Sequence, residues 1–164
     1  MNLNDFSRRF SQKIEEINKL AREETYTIVA NEAVDHFKKS FADEGFTDET
    51  LQKWPDVERR NPQSPWYGFQ PGNKNNFSPA RAVANILTGT GELGNAITSE
   101  IKPGVVTIKN DKEYAAVHNY GGEAKIFGKK SFQMKKRQFI GPSRQLLSKI
   151  NKEISNRLKE ILQK

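Results

Sequence analysis

The chain lacks several residues and segments on which common functions depend. It has no cysteine, which excludes disulfides, thiolate metal sites and a cysteine nucleophile. With only two histidines, His36 and His118, a three-histidine zinc site is impossible. No apolar run approaches the roughly 20 residues that a membrane helix needs, and residues 1–6 do not resemble a signal peptide. We therefore expect no membrane contact and a protein made in the cytoplasm.

Apolar residues are also scarce. Hydrophobic residues make up 35% of the 164 residues, and adding the 11 glycines gives roughly 42%, against about 45–50% in typical globular domains. This length predicts a single domain, 1–164. The low apolar share predicts that part of the stability comes from neighbouring subunits.

Positive charge is concentrated at one end of the chain. Residues 1–123 contain 15 Lys and Arg against 18 Asp and Glu, whereas residues 124–164 contain 12 against 2, so the net charges are −3 and +10. Such a block attracts a polyanion or an acidic protein face, although it is also typical of a solvated surface.

Spacing of apolar residues predicts helices at both ends. Steps of three and four predict N-terminal helices over 1–42, as one helix or as two with a break at 22–25. Asn4 or Asp5 is expected to cap the first helix, and Gly45 to follow the last. A C-terminal helix is predicted over 142–164, with Pro142 in its first turn. The predicted stripes are Leu3, Phe6, Phe10, Ile14, Ile17 and Ala21; Tyr26, Ala30, Ala33, Val34, Phe37 and Phe41; and Leu147, Ile150, Ile154, Leu158 and Ile161.

The middle of the chain divides into three segments. Residues 43–79 form an aromatic, proline-rich loop that either pins itself or docks on a neighbour. Residues 80–123 predict a helix over 80–87, a glycine turn and a β-hairpin, in which 103–104 has the type II turn sequence Pro-Gly. Within them, 114–120 is either a strand or one to two helical turns. Residues 124–141 form a basic arm, either extended or a second hairpin.

No set of residues in the sequence has the pattern of an active site. Gly89, Gly91 and Gly94 formally match a dinucleotide-binding motif, but the preceding segment reads as helix, so a tight turn is the better interpretation. His118 has no nucleophile and carboxylate joined to it by a motif, so a structural histidine is favoured over a catalytic one. The carboxylates form no metal-binding pattern. We therefore predict a non-enzyme with no catalytic, cofactor or metal-binding residues.

Aromatic and basic side chains are the candidate contacts. In the arm, lysines alternate with phenylalanines, a pattern that stacks bases in some single-strand binders but more often packs the rings on a sheet. The residues predicted to contact neighbouring subunits or DNA are Trp54, Trp66, Tyr67, Lys129, Lys130, Lys135, Lys136 and Arg137.

Three segments in order resemble a known family. Residues 90–97 read TGELGNAI, residues 114–122 read YAAVHNYGG, and residues 137–143 read RQFIGPS. They resemble the TG-x-L-x-x-S-I, YA-x-x-H-x-x-GG and R-P-F-L-G elements of the virion morphogenesis, or tail completion, family of Mu-like phages and prophages. Ala96 and Gln138 depart from the usual Ser and Pro. The corresponding structural-motif residues are Gly91, Leu93, Tyr114, His118, Gly121, Gly122, Phe139 and Gly141.

The resemblance implies a structural protein of the virion without enzymatic activity. Its expected partners are copies of itself in a ring and other head–tail or tail proteins, with non-specific DNA contact by the arm as a further expectation. The expected fold is α+β, with N-terminal helices and a long C-terminal helix packed on a small, mainly antiparallel sheet. The alternatives are a cytoplasmic nucleic-acid-binding protein that uses the basic C-terminal third, and a hydrolase that uses His118.

Overall fold

The computed structural model describes residues 2–126 and 130–163 and has the predicted α+β architecture. The elements follow in chain order, with a π-helical turn, Leu20–Glu24, between the first two helices. They are α1 (Leu3–Lys19), α2 (Thr25–Asp43), β1 (Gly45–Thr47), β2 (Leu51–Lys53), α3 (Pro79–Val83), α4 (Glu92–Asn95), β3 (Ile97–Lys102), β4 (Val105–Asn110), α5 (Ala115–Tyr120), β5 (Gly122–Ile126), β6 (Lys130–Met134) and α6 (Arg144–Gln163). Short 3₁₀ turns lie at Glu58–Arg60 and Lys74–Asn76.

The N-terminal helices form one continuous helical run. Of the two alternatives that the sequence left open, the single helix is observed, and near the position of the possible break a π turn widens the helix without ending it. Asn2, rather than Asn4 or Asp5, caps the start, because its side chain accepts a hydrogen bond from the Asp5 backbone N–H at 2.8 Å. At the other end, Glu44 takes a left-handed conformation with φ 50° immediately before Gly45.

The core lies against α2. The stripe predicted for this helix is confirmed, and its buried members pack with residues from β1, the 54–57 segment, α4, β3 and α6. Phe41 contacts Trp54 and Phe139, with ring centroids 5.6 and 5.2 Å apart. The core residues are Ala33, Phe37, Phe41, Phe46, Trp54, Ile86, Leu93, Ile97, Ala115, Phe139, Leu146 and Ile150.

The strands form three separate antiparallel pairs in the part of the chain that the structure describes, rather than one sheet. The predicted hairpin is β3–β4, in which Lys102 pairs with Val105 across a two-residue turn and Gly104 has φ 80°. Of the two forms considered for the arm, a second hairpin is observed, β5–β6, and it begins at Gly122, two residues before the predicted arm. The segment 114–120, left open by the sequence, is helical, and the helix expected over 80–87 ends at Val83.

Helix α6 begins two residues later than predicted. Ser143 precedes it and accepts a hydrogen bond from the Leu146 backbone N–H at 3.1 Å, so Pro142 lies before the cap and not in the first turn. The apolar stripe also starts one residue earlier, because Leu146 is buried whereas Leu147 is 60% exposed. No helix of the described residues is long and apolar enough to cross a membrane.

The loop 43–79 is held by its aromatic rings and by one carboxylate. Trp66 contacts Phe69, with ring centroids 5.2 Å apart, and Tyr67 contacts Phe77 at 5.7 Å. Glu44 forms a bidentate ion pair with Arg60 and accepts a hydrogen bond from the Ile86 backbone N–H at 2.7 Å. Arg60 also donates to the Ala84 carbonyl. These contacts join the loop to the end of α2, and the Arg60 guanidinium lowers the pKa of Glu44.

Candidate functional site

A cavity of about 390 Å³ opens where the predicted motif segments meet. One wall comes from the first 3₁₀ turn and α3, and the other from the glycine turn, α5 and the chain after β6. Its polar lining includes Arg59, Arg81, His118 and Arg137. Its apolar lining includes Val57, Ile86, Leu87, Leu93 and Met134.

The glycine turn forms one edge of the cavity, and its backbone requires glycine. Gly91 has φ 76° and ψ −7°, a left-handed conformation that is costly for residues with a Cβ. Leu93 follows in α4 and is buried in the core. The tight turn with positive φ that the sequence predicted is therefore present, and it ties the cavity edge to the core.

Helix α5 brings His118 to the cavity. Ala115 and Asn119 are the buried residues of this helix, and His118 lies beside them with its ring in edge contact with Tyr114 at 5.9 Å. The Nδ1 atom of His118 is buried and has no hydrogen-bond partner among the described residues. Burial, and then the charge of Arg137, lower the pKa of His118, which favours its neutral form.

Asn119 connects α5 to the chain after the arm. Its Oδ1 accepts hydrogen bonds from the backbone N–H groups of Phe139 and Ile140, at 2.8 and 2.9 Å, and its Nδ2 donates to the Ile140 carbonyl at 3.0 Å. Phe139 is then held in the core, 1% exposed. At Gly141, a Cβ would approach the end of the Gln138 side chain, which can move aside, so the burial of Phe139 and its contact with Asn119 are what relate this motif to packing.

After α5, two glycines turn the chain into β5. Gly121 has φ 74°, and a Cβ there would lie 3.0 Å from the Lys136 backbone nitrogen and 3.1 Å from the Met134 carbonyl oxygen. Gly122 also has positive φ, 118°. Both positions therefore favour glycine, and Gly121 does so through crowding as well as backbone conformation.

Arg137 is a buried cation at the cavity. It is 6% exposed, and its Nε and Nη2 donate to the carbonyls of Pro55 and Asp56 at 3.1 and 3.2 Å. Its backbone N–H donates to the His118 carbonyl at 2.7 Å. Burial lowers the pKa of Arg137, partly countered by the charge of Asp56, whose own carboxylate lies 3.6 Å from Arg60.

Two more guanidinium groups line the same cavity. Arg59 donates to the carbonyls of Arg81 and Asn85, at 2.7 and 2.9 Å, and burial and the charge of Arg81 lower its pKa. Arg59, Arg81 and Arg137 form no ion pair within 4 Å with a carboxylate of the described residues. The carboxylate of the lining, Glu92, is 55% exposed and pairs with Lys112. The cavity therefore has an excess of positive charge.

The sequence predicted Arg137 as a contact residue and His118 as a motif residue, but it predicted no cavity and gave no role to Arg59 or Arg81. Arg59 lies on a 3₁₀ turn within the loop and Arg81 on α3 at the end of the loop, and no local spacing signals their approach. No cluster of three or more histidines or carboxylates that could hold a metal ion occurs within residues 2–126 and 130–163.

The residues predicted to contact partners lie in different environments. Trp66 and Tyr67 are 55% and 38% exposed, whereas Trp54 is buried and donates its Nε1–H to the Gln138 carbonyl at 2.7 Å. Lys135 and Lys136 are exposed at the base of the β5–β6 hairpin. Arg137 has almost no exposed surface, Lys130 is placed by its backbone in β6, and Lys129 lies outside the described residues. Their contacts with partners stay predictions.

A second surface lies at the start of α1. The C-terminal end of α6 meets α1 at Lys13, whose Nζ donates to the Leu162 carbonyl at 2.7 Å. The helical residues before this contact span about 15 Å, and no residue of α1 is buried. Leu3, Phe6 and Phe10, which we call the tip stripe, are 83%, 52% and 55% exposed.

Comparison with known proteins identifies a family. A sequence profile of the phage virion morphogenesis family matches residues 57–163, about two thirds of the chain. This range contains every residue named above as lining the cavity, whereas the tip stripe lies before it. No curated protein and no solved structure matches the chain.

Proposed function

Since the chain belongs to the phage virion morphogenesis family, we propose that it is a structural protein that completes the tail or joins the tail to the head. Membership implies a virion-associated protein assembled in the host. The proposed mechanism is binding between subunits, without catalysis, and the proposed site of assembly is the bacterial cytoplasm.

The tip stripe is the observation that supports binding most directly. Helices of this length depend on the packing of an apolar face for their stability. Because α1 has 17 residues and no buried side chain, packing against the rest of its own chain stabilises it little. Contiguous exposed apolar surface on a soluble protein commonly marks an interaction site. The stripe therefore favours contact with another subunit of the particle.

A ring of identical chains is the proposed assembly. Cyclic rings use interfaces in which two different patches of the same chain meet. The tip stripe, at one end of the molecule, and the exposed loop residues Trp66 and Tyr67 are two such patches. Mass photometry of the purified chain, over a range of concentrations and with its virion partner added, measures whether rings form.

Deletion of the gene from its phage or prophage tests the proposed function. We expect normal synthesis of heads and tails, but tails with an unfinished end or tails not joined to heads, seen by negative-stain electron microscopy. Complementation from a plasmid is expected to restore infectious particles. Normal, infectious particles from the deletion strain would overturn the proposal.

Two variants connect the phenotype to the tip stripe. The double substitution F6S/F10S is expected to fold like the parent, since both rings are about half exposed, and to lower the titre of complemented phage at least tenfold. The matched control is Val83→Ser, an exposed apolar residue outside the stripe, 76% exposed, which is expected to complement fully. Full complementation by F6S/F10S would exclude the stripe as the contact.

The basic arm supports a further proposed contact, with DNA. Lys125, Lys135 and Lys136 are exposed on or beside the β5–β6 hairpin, where phosphates could approach them. Binding of this kind is independent of sequence and weakens steeply with salt. Electrophoretic mobility shifts of the parent and of K135Q/K136Q, between 50 and 200 mM NaCl, would measure it. Tight binding by a chain that is dispensable for virions would favour the nucleic-acid-binding alternative.

A further inference from the structure

We propose that the arginine-lined cavity binds a carboxylate carried by an acidic, apolar peptide segment of a protein that assembles with this chain. The identity of the partner as a virion component rests on the proposed function, whereas the binding site itself does not.

The first argument is charge. A buried cation is stable when it is paired, and an uncompensated buried charge is costly. Arg137 is 94% buried, and its two hydrogen-bond acceptors are neutral carbonyls. Arg59 and Arg81 line the same cavity and add two cations, and burial, followed by the charge of Arg81, lowers the pKa of Arg59. An anion in the cavity would reduce all three costs together.

The second argument is the kind of anion. Guanidinium groups bind carboxylates and phosphates in bidentate geometry, so both anions must be considered. Arg137 is recessed, however, and Val57, Ile86 and Met134 form part of the wall. The phosphates of a duplex lie on a convex surface and would reach exposed lysines before a recessed arginine. A side chain that carries its charge on an apolar stem fits this wall better.

The third argument is size and the available donors. A volume of about 390 Å³ is at the small end of the range for ligand sites, which suits one or two amino-acid side chains rather than a folded domain. Each of the three guanidinium groups of the lining carries several N–H donors, whereas the lining carboxylate, Glu92, is already paired with Lys112. The cavity therefore has a surplus of donors over acceptors, as a carboxylate site requires.

The probes are two capped tripeptides that differ in one group, acetyl-Leu-Glu-Leu-amide and its glutamine counterpart. NMR titration of the isotope-labelled full chain follows the ring signals of His118 and the Nε–H signal of Arg137. We expect saturable shifts with the glutamate peptide, and at least tenfold weaker binding of the glutamine peptide. Equal binding of both peptides, or shifts that sodium chloride reproduces at the same ionic strength, would overturn the proposal.

Inorganic phosphate is the competing probe. If it binds the cavity more tightly than the glutamate peptide, the site is a phosphate site and the carboxylate proposal is wrong. This measurement uses the purified chain and needs no phage. If the chain binds the peptide but virions form without it, the binding site is confirmed and the proposed function is wrong.

Two variants localise the binding. Arg81→Gln is expected to weaken binding of the glutamate peptide at least fivefold. The variant is expected to fold, because Arg59 donates its hydrogen bond to the Arg81 backbone carbonyl and not to the side chain. The control, Arg9→Gln, removes an exposed arginine of α1 and is expected to leave binding unchanged. Equal loss in both variants would show a long-range charge effect and overturn the site. Arg137→Gln serves as a second variant if it folds.

Discussion

At the scale of single residues, the Asn119 side chain connects two of the motif segments through hydrogen bonds. Its side chain satisfies two backbone N–H groups and one carbonyl in the segment that places Phe139 in the core. A side chain with this hydrogen-bonding pattern replaces a strand partner that the segment lacks. Packing and hydrogen bonding therefore account for the motif residues around Asn119.

Replacing Asn119 by alanine should be strongly destabilising. It leaves three backbone groups without a partner, and each buried unsatisfied group costs about 1–3 kcal/mol, so a loss of about 3 kcal/mol or more in the free energy of unfolding is expected. Urea unfolding followed by circular dichroism measures it. The control Asn156→Ala, at an exposed position of α6, is expected to stay within about 0.5 kcal/mol of the parent.

The lowered pKa values of His36 and His118 predict how the free energy of unfolding depends on pH. Burial lowers the pKa of His36, and the charges of Lys149 and Lys39 lower it further, whereas the hydrogen bond that its Nε2–H donates to the Thr47 carbonyl raises it. Burial and the charge of Arg137 lower the pKa of His118. Below about pH 6.5 the unfolded chain therefore binds protons that the folded chain does not. Stability is complete above that pH and falls as the pH drops toward the lowered values.

The free energy of unfolding is thus expected to be smaller at pH 5.5 than at pH 7.5, by at most about 1.4 kcal/mol per pH unit for each histidine. Urea titrations at both pH values measure the difference. The double variant H36Q/H118Q should show a flatter dependence. Greater stability of the parent at pH 5.5 would contradict the lowered pKa values.

At the scale of elements, α6 depends on a cap that also connects two distant segments. Ser143 Oγ accepts from the Leu146 N–H and donates to the Thr47 carbonyl at 2.8 Å, and Arg144 forms an ion pair with Glu49. The start of α6 is therefore fixed to the chain after β1. This contact sets where the helix begins, and it explains why Pro142 does not enter the first turn.

Ser143→Ala should destabilise the chain by about 1–2 kcal/mol, because it removes the cap and leaves the Thr47 carbonyl with fewer donors. Thermal unfolding monitored at 222 nm is a suitable measurement. Ser148→Ala, at an exposed position within α6, provides the comparison and is expected to have little effect. If both variants melt alike, the cap contributes nothing.

Local patterns predicted the elements whose stability is local. The spacing of α2, the alternation in β3, the strand-forming composition of β4 and the Pro-Gly turn were sufficient, because each signal depends on neighbours in sequence. The β1–β2 pair was missed because three-residue strands leave no periodic pattern. The cavity could not be predicted either, since Arg59 and Arg137 are 78 positions apart in the sequence. Long-range contacts, such as the ion pair of Glu44 with Arg60, hold the loop in place, and local patterns do not reveal them.

At the scale of the whole molecule, the core and the proposed assembly surface lie in different parts. The core lies among α2, α6 and the motif segments, and residues 2–11 contribute none of its members. The sequence is poor in apolar residues, and three of them, in the tip stripe, lie on the surface instead of in the core. This distribution is consistent with such a division. We therefore expect that folding and subunit contact can be separated by truncation.

Deletion of residues 2–11 should leave the free energy of unfolding within about 1 kcal/mol of the parent, because it removes no buried side chain and retains Lys13 with its bond to Leu162. The same truncation should abolish ring formation in mass photometry and fail to complement the gene deletion. Urea unfolding checks the first expectation. A truncated chain that complements would place the subunit contact elsewhere.

The π turn at Leu20–Glu24 makes the number of residues between α1 and α2 important for the orientation of the two apolar stripes. At 100° per residue, Phe10 and Phe37, 27 positions apart, would face opposite sides of an unbroken α-helix. The wide turn takes up roughly one residue and so rotates one stripe relative to the other by about 100°. A change in the number of residues there would misalign the outer face with respect to the core, whereas substitutions at its exposed positions would be silent.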